Sequence, residues 1–297
     1  MKRYRYYIFA VVFDLRLGVV IVNGMMELVV FSEDGLVYRI LEERLRDPGL
    51  LVREASNIVD EVERAGLGER LGSIDELRLV HPVISPSKIV GVGRNYAAHA
   101  REMGSMVRGS PDLFLKAPSS LSGHRHPIVV PEYVLKPDYE GEIVLVIGSR
   151  LKNATTSEAG RAILGYTAGN DVTSRDLQVD LGKPWSMAKS IDTFSPLGPY
   201  VRVIYDIGEL EDVCLKTKLN GEVVQSGCTY DMILKPVELV SYISRYMTLH
   251  PGDLIYTGTP PGVGHARSPP RYLREGDVVE VAVDGVHPLS NMVTRRR

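Results

Sequence analysis

Two glutamates at the entrance of an apolar strand are the first residues whose types and spacing could do chemistry: Tyr139-Glu140-Gly141-Glu142-Ile143-Val144-Leu145-Val146-Ile147. Side chains alternate along a strand, so Glu140 and Glu142 share a face with Val144 and Val146, while Ile143, Leu145 and Ile147 fill the other. A strand apolar on both faces is buried, and two like charges there repel and resist desolvation unless protons or a cation neutralise them. A hard divalent ion with oxygen ligands is the economical answer. An E-x-E pair alone is common and reads as readily as a solvated strand entrance; a third acid tips the balance. Asp171 ends a second strand, Gly165-Tyr166-Thr167-Ala168-Gly169-Asn170-Asp171, and shares a face with Thr167 and Gly169. Two glutamates from one strand and an aspartate from another supply three oxygens and leave positions open for water or substrate, as Mg²⁺ prefers; Mn²⁺ and Ca²⁺ accept the same donors. Asp138 has the parity of Glu140, but Pro137 before it signals a turn, and it is not counted.

A base is needed as well. In Asn95-Tyr96-Ala97-Ala98-His99-Ala100-Arg101-Glu102-Met103, His99 and Glu102 stand at i and i+3 on one helical face, where a carboxylate can orient an imidazole and favour the charge it gains as general base. An isolated H-x-x-E is more often a surface ion pair, so this pair gains meaning only from its company. Lys189 would pair with a carboxylate or oxyanion near a metal; alone, it reads as solvated. Thr257-Gly258-Thr259-Pro260-Pro261-Gly262-Val263-Gly264 lacks the lysine and spacing of a phosphate loop, which argues against nucleotide binding, but it allows close backbone approach to a small ligand. Trp185, the single tryptophan, reads equally as a lid anchor or as packing.

The elements that must position these residues fall into two groups. Met26 to about Pro86 reads as a small α/β segment: a strand pair around Ser32-Glu33-Asp34-Gly35, then an amphipathic helix near Leu51–Ala65. Pro82 and Pro86 punctuate the chain, and the boundary is placed there, giving an N-terminal domain at 1–86 and a catalytic domain at 87–297. Beyond it strands dominate. Asn95 is expected to cap a short helix closed by Gly104, and Thr155 with Glu158 predicts a capping box for a helix to Leu164. Strands are predicted at 128–130, 142–147, 215–219, 254–257 and 278–283, with a turn at Asn220-Gly221. Many strands, few helices and no βαβ alternation predict an α+β, β-rich fold, a mixed sheet rolled around a core.

Composition is that of an ordinary globular protein of 297 residues, with net charge −2 and charges mixed along the chain. That balance provides no field for nucleic acid or a membrane surface. The basic end Arg295-Arg296-Arg297 reads as a frayed terminus. Tyr6 to Phe13 follows basic residues as in a signal peptide, but Asp14 and Arg16 interrupt the apolar run, so residues 1–24 read as an extension that the fold does not need. Cys214 and Cys228 have no metal spacing and suggest no disulfide; they read as buried small hydrophobes in a reducing, cytoplasmic compartment.

Taken together, Gly93-Arg94-Asn95-Tyr96…His99…Glu102, Tyr139-Glu140-x-Glu142, Asn170-Asp171-Val172-Thr173-Ser174-Arg175-Asp176-Leu177-Gln178, Lys189-Ser190-x-Asp192-Thr193 and Thr257-Gly258-Thr259-Pro260-x-Gly262-Val263-Gly264 resemble, in order, the motifs of the fumarylacetoacetate hydrolase family. The resemblance spans about Ile89 to Val293. It implies a β-rich roll, a homodimer, and Mg²⁺ or a similar ion on Glu140, Glu142 and Asp171. It also implies a small 2-oxo acid substrate, and by the same resemblance Arg94, Gln178, Thr259 and Lys189 would touch it. The His99–Glu102 pair is similar to the dyad of members that hydrolyse a C–C bond in acylpyruvates, which makes that the expected reaction. Other members isomerise, decarboxylate or dehydrate. A non-catalytic oxo-acid binder with a structural metal is the alternative from a different class.

Overall fold

The computed structural model describes residues 14–107 and 109–296. In chain order its strands are β1 (Arg16–Val22), β2 (Met25–Phe31), β3 (Leu36–Ile40), β4 (Leu67–Ser73), β5 (Ile89–Gly93), β6 (Asp112–Lys116), β7 (Leu121–Ser122), β8 (Ile128–Pro131) and β9 (Pro137–Asp138). Then come β10 (Gly141–Ile147), β11 (Ile163–Asn170), β12 (Thr173–Ser174), β13 (Ser195–Val203), β14 (Cys214–Leu219), β15 (Glu222–Cys228), β16 (Leu254–Tyr256), β17 (Val278–Val283) and β18 (Val286–Arg296). The α-helices are α1 (Leu50–Arg53), α2 (Ala55–Ala65), α3 (Ala97–Glu102), α4 (Thr156–Ala162), α5 (Trp185–Lys189) and α6 (Pro236–Tyr246).

The strands form one mixed sheet of eleven, ordered β4-β3-β2-β1-β13-β11-β10-β16-β5-β6 with β7 alongside β13, a second sheet ordered β15-β14-β17-β18-β8, and a two-stranded pair β12-β9. Among the described residues, only β16–β5 and β13–β7 run parallel in the large sheet. This is the strand-rich, helix-poor architecture the pattern predicts. The alternation read in β10 has a physical counterpart: Ile143, Leu145 and Ile147 enter one apolar cluster, with Leu239 and Ile243 of α6, and Val144 and Val146 enter another, with Leu51 and Ile58 near and on α2. β10 is thus buried on both faces, and its register against β11 sets Glu142 across from Gly169.

Several local expectations need correction. The single helix near Leu51–Ala65 breaks at Glu54 into α1 and α2. Asn95 does not cap α3; Tyr96 takes that place, because the Asn95 amide is spent on the Leu234 and Thr257 carbonyls. The Thr155–Glu158 capping box is present, but α4 stops at Ala162 because Ile163 is already extended in β11. Arg295 and Arg296 are not frayed: they continue β18 alongside β8. Within the segment read as dispensable, β1 pairs with β2 and β13, and its Leu17, Val19 and Val20 are buried. The Tyr6–Phe13 stretch lies outside the described residues. Cys214 and Cys228 are directly opposed in the β14–β15 pair and joined as a disulfide, contrary to the expectation of free thiols.

Candidate active site

The chemistry collects where β10 and β11 end side by side. Asp171, just past β11, donates its backbone N–H to the Glu140 carbonyl at 2.8 Å, which extends the ladder one step and brings both carboxylates to the same rim. Ligand oxygens of Glu140, Glu142 and Asp171 lie within 4.8 Å of one another, and all three residues are buried. The two strand ends therefore bring together the three acids singled out in the sequence.

The chain also supplies cations, of which Lys189 alone is singled out in the sequence as a partner for these acids. Lys189, at the end of α5, donates to Glu140 Oε2 at 2.6 Å, Asp171 Oδ2 at 2.5 Å and the Thr173 hydroxyl at 2.8 Å. Lys116, at the end of β6, bonds the other oxygen of Asp171 and the Phe194 carbonyl. Arg175 donates to Glu140 Oε1 at 2.5 Å and to Asp138 Oδ2 at 2.9 Å. Burial alone would raise the Glu140 pKa, but Lys189 and Arg175 more than offset it and hold the carboxyl well below its usual range. Burial likewise works against the Lys189 ammonium, and Asp171 with Glu140 outweighs it, so its pKa rises. Lys116 is pushed down by burial, only partly relieved by Asp171.

Glu142 differs. Its hydrogen bond comes from the Gly258 backbone N–H at 2.8 Å, and it forms no ion pair among the described residues. Burial, then repulsion from Asp171 and Glu140, pushes its pKa well above the carboxylate range. A buried carboxylate without a cation, beside two others, is a donor set that fits a hard divalent ion.

His99 lies on α3 with Nδ1 3.2 Å from Glu102 Oε2. The other oxygen of Glu102 accepts from the Gly262 backbone N–H at 2.8 Å. A carboxylate can only accept, so Nδ1 carries the proton of this bond, and in the neutral imidazole Nε2 is the nitrogen with the lone pair. The glycine-rich segment after β16 thus has a definite role. Its N–H groups at Gly258, Gly262 and Gly264 go to Glu142, Glu102 and Asp138, so they hold the site's own acids in place of a phosphate. Gly262 has φ +110°, and a Cβ there would stand 2.0 Å from the Val224 carbonyl oxygen, so only glycine presents that N–H.

A single hollow of about 250 Å³ is lined by Glu140, Asp171, Lys189, His99, Arg94, Gln178 and Thr259, among others. Glu142 and Glu102 stand behind this lining. Gln178 accepts from Arg175 Nη1 at 2.7 Å. The Thr259 hydroxyl donates to the Gly141 carbonyl and accepts from Gln225, so toward a ligand it can only accept. Trp185 packs edge-on to Phe114 at the opening, over Gly93, where a Cβ would lie 2.1 Å from its ring. Lys116, Arg175 and Asp138 were missed as site residues. Asp138 is fully buried, and it anchors Arg175 and the backbone of Gly264 and His265.

Comparison with known proteins places the chain in a family. The family described as fumarylacetoacetate (FAA) hydrolase C-terminal matches residues 88–294. The chain is 38% identical over 222 residues to an oxaloacetate tautomerase, mitochondrial, of Xenopus laevis, covering 74% of this chain and 70% of that protein. The fold superposes with a TM-score of 0.75 on a 5-carboxymethyl-2-hydroxymuconate delta-isomerase from Mycobacterium smegmatis, 34% identical, over 95% of this chain and 99% of the other. It superposes with a TM-score of 0.78 on a fumarylacetoacetate hydrolase from psychrophilic Exiguobacterium antarcticum, also 34% identical, over 95% and 100%. With the matched segment running from just before β5 through most of β18, and every acid and base of the hollow inside it, the chain belongs to the fumarylacetoacetate hydrolase family of enzymes.

Proposed function

We propose that this enzyme moves a proton at the carbon beside the 2-oxo group of a small 2-oxo acid, interconverting keto and enol or double-bond isomers. The observation that carries the reading is His99, held through Nδ1 by Glu102 and lining the same hollow as Glu140, Asp171 and Lys189. In this reading His99 takes the proton and Glu102 stabilises the imidazolium that results. Lys189 offsets negative charge developing on the oxo oxygen. Glu140, Glu142 and Asp171 would hold Mg²⁺ or a similar ion, which supplies polarisation of the 2-oxo group. At about 250 Å³ the hollow lies below the ~300–1,000 Å³ of drug-sized sites, which supports a short substrate. The tautomerase and isomerase relatives support the same direction.

Hydrolysis of an acylpyruvate-type C–C bond is the second reading, supported by the hydrolase among the structural neighbours and by the same dyad, which could equally deprotonate water. Proton NMR of a panel of oxaloacetate, acylpyruvates and unsaturated oxo diacids, with and without chelator, separates the two. Solvent deuterium entering the carbon beside the oxo group without cleavage supports isomerisation; stoichiometric pyruvate and carboxylic acid support hydrolysis. Binding without consumption of any member of the panel refutes both.

A homodimer and a cytoplasmic location belong to the proposal as well. Among the described residues no helix is long and apolar enough to cross a membrane, and a Cys214–Cys228 bond in the cytoplasm is of the kind that intracellular proteins of hyperthermophiles carry.

A further inference from the structure

The cations that line the hollow are not equivalent. Lys189 and Arg175 are 3% and 2% exposed, and each is bound to two carboxylates. Arg94 is different. Its guanidinium is one-third exposed and meets a single acid, Asp112, at 3.1 Å, whose side chain is 40% exposed. Exposed pairs of this kind are weak and exchange readily with other anions. Arg94 is also held independently of Asp112. Its guanidinium lies 5.3 Å over the Trp185 ring, and its backbone sits at φ +62°, a conformation that non-glycine residues rarely adopt. The β5–β6 register fixes Asp112 across from Gly93, so the acid is built in beside the arginine at the mouth.

Charge in the depth of the hollow leaves no partner there for a second anionic group. Lys116, Arg175 and Lys189 are each already paired with Asp171, Asp138 or Glu140. A substrate's second carboxylate therefore has to find its cation at Arg94.

We propose that the Arg94–Asp112 pair is an exchangeable clasp for the far carboxylate of a short 2-oxo dicarboxylate, with Asp112 as the specificity-determining residue that competes for Arg94. The inference rests on the proposed 2-oxo acid reading and narrows it to diacids. A monoacid of the same length leaves the clasp closed and gains nothing from it.

The test compares 2-oxoglutarate with 2-oxopentanoate, which share a five-carbon chain and differ by a far carboxylate against a methyl. Binding is measured by calorimetry at fixed Mg²⁺ and independently of turnover, on the full-length wild type, Arg94→Gln and Asp112→Asn. The wild type is expected to favour the diacid at least about tenfold, as a charge-assisted hydrogen bond implies. Arg94→Gln should bring that ratio close to one, and Asp112→Asn should widen it about two- to fivefold by removing the competitor. The monoacid affinity should move less than about twofold in Asp112→Asn. Circular dichroism melts matching wild type show that both exposed substitutions fold. A wild-type ratio near one, or a ratio unchanged in Arg94→Gln, overturns the clasp. Selective diacid binding that responds as expected, with no 2-oxo acid consumed in the NMR panel, leaves the clasp standing and refutes the proposed reaction instead.

Discussion

Glu102→Gln keeps the size of the side chain and changes only what it can accept, which makes it the sharpest probe of the base. In wild type one carboxylate oxygen takes the Gly262 N–H at 2.8 Å and the other faces His99 Nδ1 at 3.2 Å. A glutamine has one oxygen and one NH₂. If its oxygen stays on Gly262, the NH₂ faces Nδ1; the imidazole must then put its proton on Nε2, and the base is blocked. If the amide flips, its oxygen serves Nδ1 but its NH₂ opposes the Gly262 N–H, at the cost of one solvent-accessible hydrogen bond, about 0.5–1.5 kcal/mol. The productive arrangement is therefore populated at roughly one part in three to one in thirteen. Losing the negative charge that steadies the imidazolium adds to this, which brings the expected fall in kcat to about 10²–10⁴. KM should change little, because Glu102 stands behind the lining, and the melting temperature should hold, because neither arrangement opens a cavity. Following the decay of the enol's ultraviolet absorbance gives both constants. A kcat within threefold of wild type in a folded protein refutes the assigned tautomer and, with it, His99 as the base.

Three further outcomes follow from the packing and charge. Glu142→Gln should weaken Mg²⁺ binding by more than the ~10–100-fold typical of losing an outer partner, while the metal-free protein melts no lower than wild type, because the buried charge is already unfavourable there; titration calorimetry and a thermal melt in chelator check both. Gly93→Ala places a methyl 2.1 Å from the Trp185 ring, and overpacking of this kind costs about 1–3 kcal/mol; tryptophan fluorescence should shift and KM rise with the fold retained, and unchanged fluorescence would count against the contact. Deleting residues 1–24 removes β1 with buried Leu17, Val19 and Val20, worth about 1.5–3 kcal/mol each, a sum comparable to the ~5–15 kcal/mol stability of a whole domain. Insoluble expression or a large fall in melting temperature is expected; a stable, active truncation would show that β1 is dispensable.

What the sequence revealed depended on how far apart the interacting residues lie along the chain. Glu140 with Glu142 and His99 with Glu102 are visible because strand and helix periods repeat within a few residues. Lys116 is not, because it reaches Asp171 from the end of β6, 55 residues away, and nothing local distinguishes a lysine ending an apolar strand from a solvated one. The disulfide failed for a subtler reason. Asn220-Gly221 was read correctly as a two-residue turn, but counting outward from Leu219 opposite Glu222 sets Cys214 against Gly227. A bulge at Thr217–Lys218 shifts the register by one and brings Cys228 opposite instead. The boundary placed at Pro86 remains a proposal, since pairing of β1 with β13 carries the large sheet across it.

The same limit corrects the electrostatic premise from which the site was first inferred. From the sequence, three buried acids tolerate one another through protons or, most economically, a shared metal ion. In the structure Asp171 has Lys116 and Lys189, and Glu140 has Lys189 and Arg175, so two of the three are neutralised by the chain itself. The demand for an external cation therefore falls on Glu142, whose donor is a backbone N–H and whose neighbours repel its charge. Two consequences separate. Assembly of the hollow is supported by lysine and arginine and should survive metal removal, whereas the ionised state of Glu142 should not. Fold and metal affinity thus become independently measurable, and a chelated protein that unfolds would show that the lysines do not carry the role assigned to them here.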